Sequence, residues 1–94
     1  PHVFAYIYVL ESGKDGKLYI RWTTDLRRRL GEHNEGKSRA TRPRLPFQLI
    51  YYEACLSRDD ARRREKFFKS TMGNRFLKLR LQTYYRARRR AVES

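Results

Sequence analysis

Hydrophobic and polar positions along the chain follow two periods. Val3–Leu10 and Leu18–Trp22 are short runs rich in β-branched and aromatic residues, and Gly13, Lys14, Asp15 and Gly16 lie between them. Such a pattern predicts two strands joined by a hairpin turn, with glycine at positions that need positive φ. Alternation puts Tyr6 and Tyr8 on one face of the first strand, and Tyr19 and Arg21 on one face of the second. Two phenols can therefore lie side by side across the hairpin. A third run, Phe47–Cys55, is apolar and aromatic on both faces, as a central strand would be.

Elsewhere the period is helical. A helix is predicted near 24–35, capped by Thr23 or Thr24, with Asp25 in its first turn and Gly36 as its C-cap. Leu26 and Leu30 form its buried stripe, Arg27 and Arg28 point away, and Arg29 and His33 stand one turn apart on the flank of the stripe. Ser57 caps a second helix over 58–70, with Asp59 and Asp60 in its first turn. There Ala61, Glu65 and Phe68 share a stripe, and Arg62, Arg63, Lys66 and Lys69 cover the rest. Gly73 is expected to break this helix and Asn74 to cap a third, near 74–88, that buries Phe76, Leu77, Leu81 and Tyr84. The expected fold class is α/β of the α+β type: a three-stranded antiparallel sheet flanked by three helices in β-β-α-β-α-α order. Two prolines within Arg39–Pro46 leave a basic loop.

Composition narrows the function. The 94 residues suit one domain, which we place at 1–85 with a basic tail at 86–94. A hydrophobic share of 39%, with 14% aromatic residues, supports a packed core despite a mean hydropathy of −0.92. The 23 Lys and Arg against 10 Asp and Glu give a charge of +13. A field of that size draws polyanions, of which nucleic acid is the commonest. Candidate phosphate contacts are Arg21, Arg28, Lys37, Arg39, Arg42 and Arg44, then Arg86 and Arg88 in the tail, with Ser38 and Thr41 of matching chemistry in the loop. The single cysteine, Cys55, has no disulfide partner and reads as a small hydrophobe in a strand. No apolar run is long enough to span a bilayer, so a soluble, cytoplasmic protein without a membrane partner is expected.

Tyr6-Ile7-Tyr8, Tyr19-Ile20-Arg21, Thr24-Asp25-Leu26-Arg27-Arg28-Arg29-Leu30 and Glu32-His33-Asn34, followed by Pro46, the Leu49–Ala54 strand and Ala61-Arg62-Arg63-Arg64-Glu65-Lys66, resemble the GIY-YIG nuclease family. The likeness is to its small stand-alone members and covers about residues 3–81. It implies a metal-dependent endonuclease that hydrolyses phosphodiester bonds in nucleic acid, DNA ahead of RNA, with Mg²⁺ or Mn²⁺ and no small-molecule cofactor. By the same resemblance Glu65 holds the metal, Arg29 stabilises phosphate charge, and Tyr8, Tyr19 and His33 position or deprotonate the attacking water. A phenol titrating near ~10 is a poor base at neutral pH, so a nearby cation would have to lower it.

For Glu65 the structural alternative is an ion pair with Arg29 or Arg64, because a carboxylate on a buried helix face needs a partner. For Tyr6 the alternative is strand packing. Two positions depart from the family pattern: Arg21 stands where the second motif usually ends in glycine, and Leu79 aligns where many members carry asparagine. Arg21 faces the expected site and is expected to attenuate turnover. Two other classes stay open, a non-catalytic nucleic-acid-binding module on the same fold and a basic ribonucleoprotein-associated protein.

Overall fold

The computed structural model describes residues 3–93. The three apolar runs form strands β1 (Ala5–Ser12), β2 (Leu18–Thr23) and β3 (Phe47–Cys55). They make one antiparallel sheet in the order β2-β1-β3. The most continuously buried strand is thus β1, which has neighbours on both edges and helices on both faces, whereas β3 lies at an edge. The expectation of a central β3 fails for a visible reason: Gln48, Tyr52 and Ala54 are exposed, so its run of large side chains is covered only in part. A register shift between Val9 and Leu10 lets β3 follow β1 over its full length.

Helix α1 (Leu26–Asn34) covers one sheet face, where Leu26 and Leu30 pack with Tyr8, Leu10, Tyr19 and Phe47. The other face carries α2 (Arg58–Phe68) and α3 (Thr71–Arg80), whose Ala61, Phe68 and Leu77 pack on Ala5, Ile7, Val9 and Ile20. Burying a side chain such as Phe68, which has no exposed surface, contributes about 1.5–3 kcal/mol. A last helix, α4, runs Gln82–Glu93. Where one helix was expected near 74–88 there are two, α3 and α4, divided at Leu81, and the break between α2 and α3 falls at Lys69 and Ser70.

Ser70, not Asn74, caps α3, accepting the Gly73 N–H on its hydroxyl at 3.1 Å. Gly73 does not break a helix. It lies inside α3 against the end of α2, where a Cβ would sit 1.8 Å from the Phe67 carbonyl oxygen. The cap of α1 is Asp25, whose Oδ1 accepts the Arg28 N–H at 3.1 Å, and Thr23 Oγ1 in turn accepts the Asp25 N–H. At the other end Gly36 adopts φ +74, the Gly36 N–H donates to His33 O at 3.0 Å, and the Lys37 N–H donates to Glu32 O at 2.9 Å. That pair of bonds ends the helix and turns the chain back beneath it.

The basic segment after Gly36 contains a 3-10 turn at Arg42–Arg44. It is clipped to the hairpin: the Ser12 hydroxyl donates to Arg44 O at 2.5 Å and the Gly13 N–H to Pro46 O at 2.7 Å. Among the described residues no helix is long and apolar enough to cross a membrane.

Candidate active site

His33 is the hub of the α1 face. It has no exposed surface, its Nε2 lies 3.2 Å from the Tyr8 hydroxyl, and its Nδ1 lies 2.8 Å from Thr41 Oγ1. The Tyr19 ring meets it edge-on with centroids 5.2 Å apart, and Phe47 closes the far side at 6.5 Å. Tyr8 stands opposite Arg21 across the hairpin and Tyr19 opposite Leu10, so the two phenols are diagonal neighbours that share one imidazole. A neutral imidazole donates at one nitrogen and accepts at the other, and hydroxyls can do either. The row Tyr8, His33, Thr41 is therefore satisfied in both tautomers.

Burial pushes the Tyr8 phenol above its ordinary value, although the Arg29 and Arg21 guanidiniums pull the other way. Burial also lowers His33, and Arg29 and Arg21 lower it further against Glu32. Both groups are consequently neutral at pH 7, and Tyr8 keeps its proton rather than acting as a base. The expected lowering of a tyrosine by a neighbouring cation does not occur at Tyr8, because desolvation outweighs it. Tyr19 is half-buried. It opens on a groove along the outer edge of β2, which Lys17, Arg21, Lys69 and Asn74 also line.

Arg29 belongs to this cluster by its field on Tyr8 and His33, and Glu32 holds it at 3.4 Å. Glu65 does not contact it. Glu65 lies on α2, across the sheet, where Lys69 binds its Oε2 at 3.2 Å and 18% of its side chain stays exposed. Neither of the expected ion-pair partners is used, since Arg64 is taken by Glu53 at 2.8 and 3.1 Å and Arg29 by Glu32. Lys69, the partner of Glu65, lines the groove, whereas the Glu65 carboxylate is not among its lining groups. Among the described residues no three His, Cys, Asp or Glu side chains converge to hold a metal ion. A single carboxylate still suits Mg²⁺, which keeps most of its waters and takes further ligands from phosphate. Tyr6 points elsewhere, packing on Phe4 and Tyr52 at 6.5 and 6.1 Å.

The basic residues divide into free and engaged. Arg21 and Arg39 are exposed, and Arg86 is exposed but donates its Nη2 to Gln82 Oε1 at 3.4 Å. Arg28 and Lys37 are exposed but pair with Glu32 and Glu35, and Arg42 donates its Nε to Gly36 O at 2.8 Å. Arg44 is turned inward, 3.4 Å from Asp15 and stacked 5.6 Å over the Phe47 ring, and Arg88 pairs with Glu11. Thr41, expected to face phosphate, is folded under His33 by the 3-10 turn. Lys17, Lys69, Lys78 and Tyr85, which line the β2 groove, are far apart in the chain. Only the meeting of a sheet edge with three helices unites them, and no local pattern announces it.

A small α+β domain with a tyrosine hairpin packed on an arginine-histidine helix is what this chain forms, and the GIY-YIG catalytic domain family model matches it over residues 4–80. The chain belongs to that family. It is 53% identical over 66 residues to a UPF0213 protein of Streptococcus agalactiae serotype V, covering 69% of this chain and 74% of that one. A UPF0213 protein of Streptococcus pneumoniae is 52% identical over 66 residues, covering 69% and 66%. In three dimensions the chain is similar to the solution NMR structure of a UPF0213 protein from Bacillus halodurans, with a TM-score of 0.50 and 39% identity over 79% of this chain and 81% of that one.

Proposed function

We propose that the protein is a cytoplasmic endonuclease that hydrolyses phosphodiester bonds in nucleic acid, DNA ahead of RNA, with Mg²⁺ or Mn²⁺. The observation that carries this reading is the packing of Tyr8, Tyr19 and Arg29 around one buried neutral imidazole, His33, beside a basic groove, in a chain whose family is a catalytic domain.

Hydrolysis asks for an oriented water, positive charge for the phosphate oxygens, and help for the leaving oxygen. Tyr19 is the phenol that reaches the groove, so it contacts the water. Tyr8 and His33 are positioning residues: one is fully buried and protonated, the other neutral, and together they fix the Tyr19 ring. Arg29, with 29% of its side chain exposed, supplies permanent charge to the phosphate. Glu65 would hold the divalent ion through the carboxylate oxygen that Lys69 leaves free. When bound, such an ion supplies Lewis-acid charge to the phosphate oxygens.

Arg21 bears on how fast this site works. Its guanidinium is exposed in the groove where the family pattern has glycine. It attracts phosphate but repels a divalent ion and fills space. That supports a second reading, binding without turnover. Single-turnover cleavage of labelled DNA and RNA oligonucleotides with Mg²⁺ separates the two. We expect slow, metal-dependent cleavage, raised at least about tenfold by Arg21→Gly, or ~1.4 kcal/mol of barrier. If neither protein cleaves while both bind, the non-catalytic reading stands.

A further inference from the structure

Among the described residues, helix α4 contributes no side chain to either apolar core cluster, and a polar contact ties it to the sheet. At the hairpin end of β1, Glu11 lies on the buried face with only 4% of its surface exposed. Its Oε1 accepts the Tyr84 hydroxyl at 2.5 Å and pairs with the Arg88 guanidinium. Burial, then the Glu11 carboxylate, pushes the Tyr84 phenol up to about 12, so it stays a donor. A buried carboxylate without partners is costly. The acid and the helix therefore fix each other.

So latched, α4 forms a groove with the hairpin turn at Gly16, and Lys78, Gln82, Tyr85, Arg86 and Arg89 line it. The groove along β2 shares Gly16, Lys78 and Tyr85 with it, so the two grooves adjoin, and together they flank a path leading away from Tyr19 and Arg21. The acid on its wall, Glu11, is already neutralised by Arg88. Lys78 and Arg89 have no acidic partner among the described residues. A uniformly positive channel of this kind fits a phosphodiester backbone.

We propose that Glu11 is a latch that makes α4 a fixed wall of the nucleic-acid channel, carrying the strand from the β2 edge past Lys78 to Arg86 and Arg89. This rests on the nuclease reading for its ligand but not on turnover. It has an unusual consequence. Removing the Glu11 charge makes the protein more positive, yet it weakens nucleic-acid binding.

The test is fluorescence anisotropy of a labelled DNA oligonucleotide, without divalent metal, over a range of salt. Glu11→Gln is expected to bind at least about fivefold more weakly than the natural protein. The Arg86→Ala/Arg89→Ala pair is expected to lower the salt slope by about two, one for each phosphate contact. An Arg58→Ala/Arg63→Ala pair on α2, losing the same charge away from the channel, should leave the slope nearly unchanged. Equal or tighter binding by Glu11→Gln, or equal effects of the two arginine pairs, overturns the latch. If circular dichroism shows Glu11→Gln unfolded, the comparison of arginine pairs decides alone. If the natural protein does not bind at all, the nucleic-acid reading fails with it.

Discussion

A histidine with no exposed surface, bonded at both ring nitrogens to hydroxyls, is a structural element as much as a candidate site residue. Its sensitivity to acid follows from its surroundings. In the unfolded chain His33 titrates near ~6.5, while in the fold burial, Arg29 and Arg21 lower it, with Glu32 opposing. Below ~6.5 the unfolded chain therefore binds more protons than the folded one, and stability falls with falling pH until the folded value is reached. Above ~6.5 this contribution is fully present. Thermal melts should show the natural protein losing stability as pH drops from 7.5 to 5.5, and His33→Gln losing less over the same range. Parallel pH dependences would mean that His33 does not carry the effect.

The elements teach a different lesson, and Gly73 is the sharpest case. A methyl group there meets a backbone carbonyl at 1.8 Å, which no side-chain adjustment can relieve. Gly73→Ala should cost roughly 3 kcal/mol, measured by denaturant unfolding; a loss under about 0.5 kcal/mol would show that α2 and α3 are not packed as described. Sequence patterns revealed the hairpin, the α1 stripe and the Tyr8, Tyr19, His33 grouping, because each depends on a local period. They misjudged Gly73, since glycine looks the same whether it ends a helix or admits a neighbour. They also misplaced β3, because its large residues advertise burial that an edge strand only half achieves. Thr41 was out of reach, as its partner is fixed by a turn without periodicity. Glu11 left a trace, an acid in phase with Ala5, Ile7 and Val9, and its meaning depended on where α4 would land.

On the scale of the whole molecule, a charge of +13 is spread over helices and loops, but the groove beside β2 concentrates it where Tyr19 opens to solvent. One sheet face brings the tyrosines, His33 and Arg29; the opposite face brings Lys69 to the same edge, with Glu65 as its ion-pair partner. Hydrolysis of phosphodiesters at this edge, with a divalent ion on Glu65, is the proposed activity. Glu65→Gln keeps the shape and removes the charge that a hard cation requires. The deciding measurement is single-turnover cleavage of a labelled DNA oligonucleotide by the natural protein and Glu65→Gln across a Mg²⁺ titration, with affinity measured in parallel. Metal-dependent cleavage by the natural protein, abolished in Glu65→Gln with affinity and folding retained, is the expected result. Cleavage at the natural rate by Glu65→Gln, or a natural protein that binds nucleic acid and never cuts it at any Mg²⁺ concentration, would contradict it.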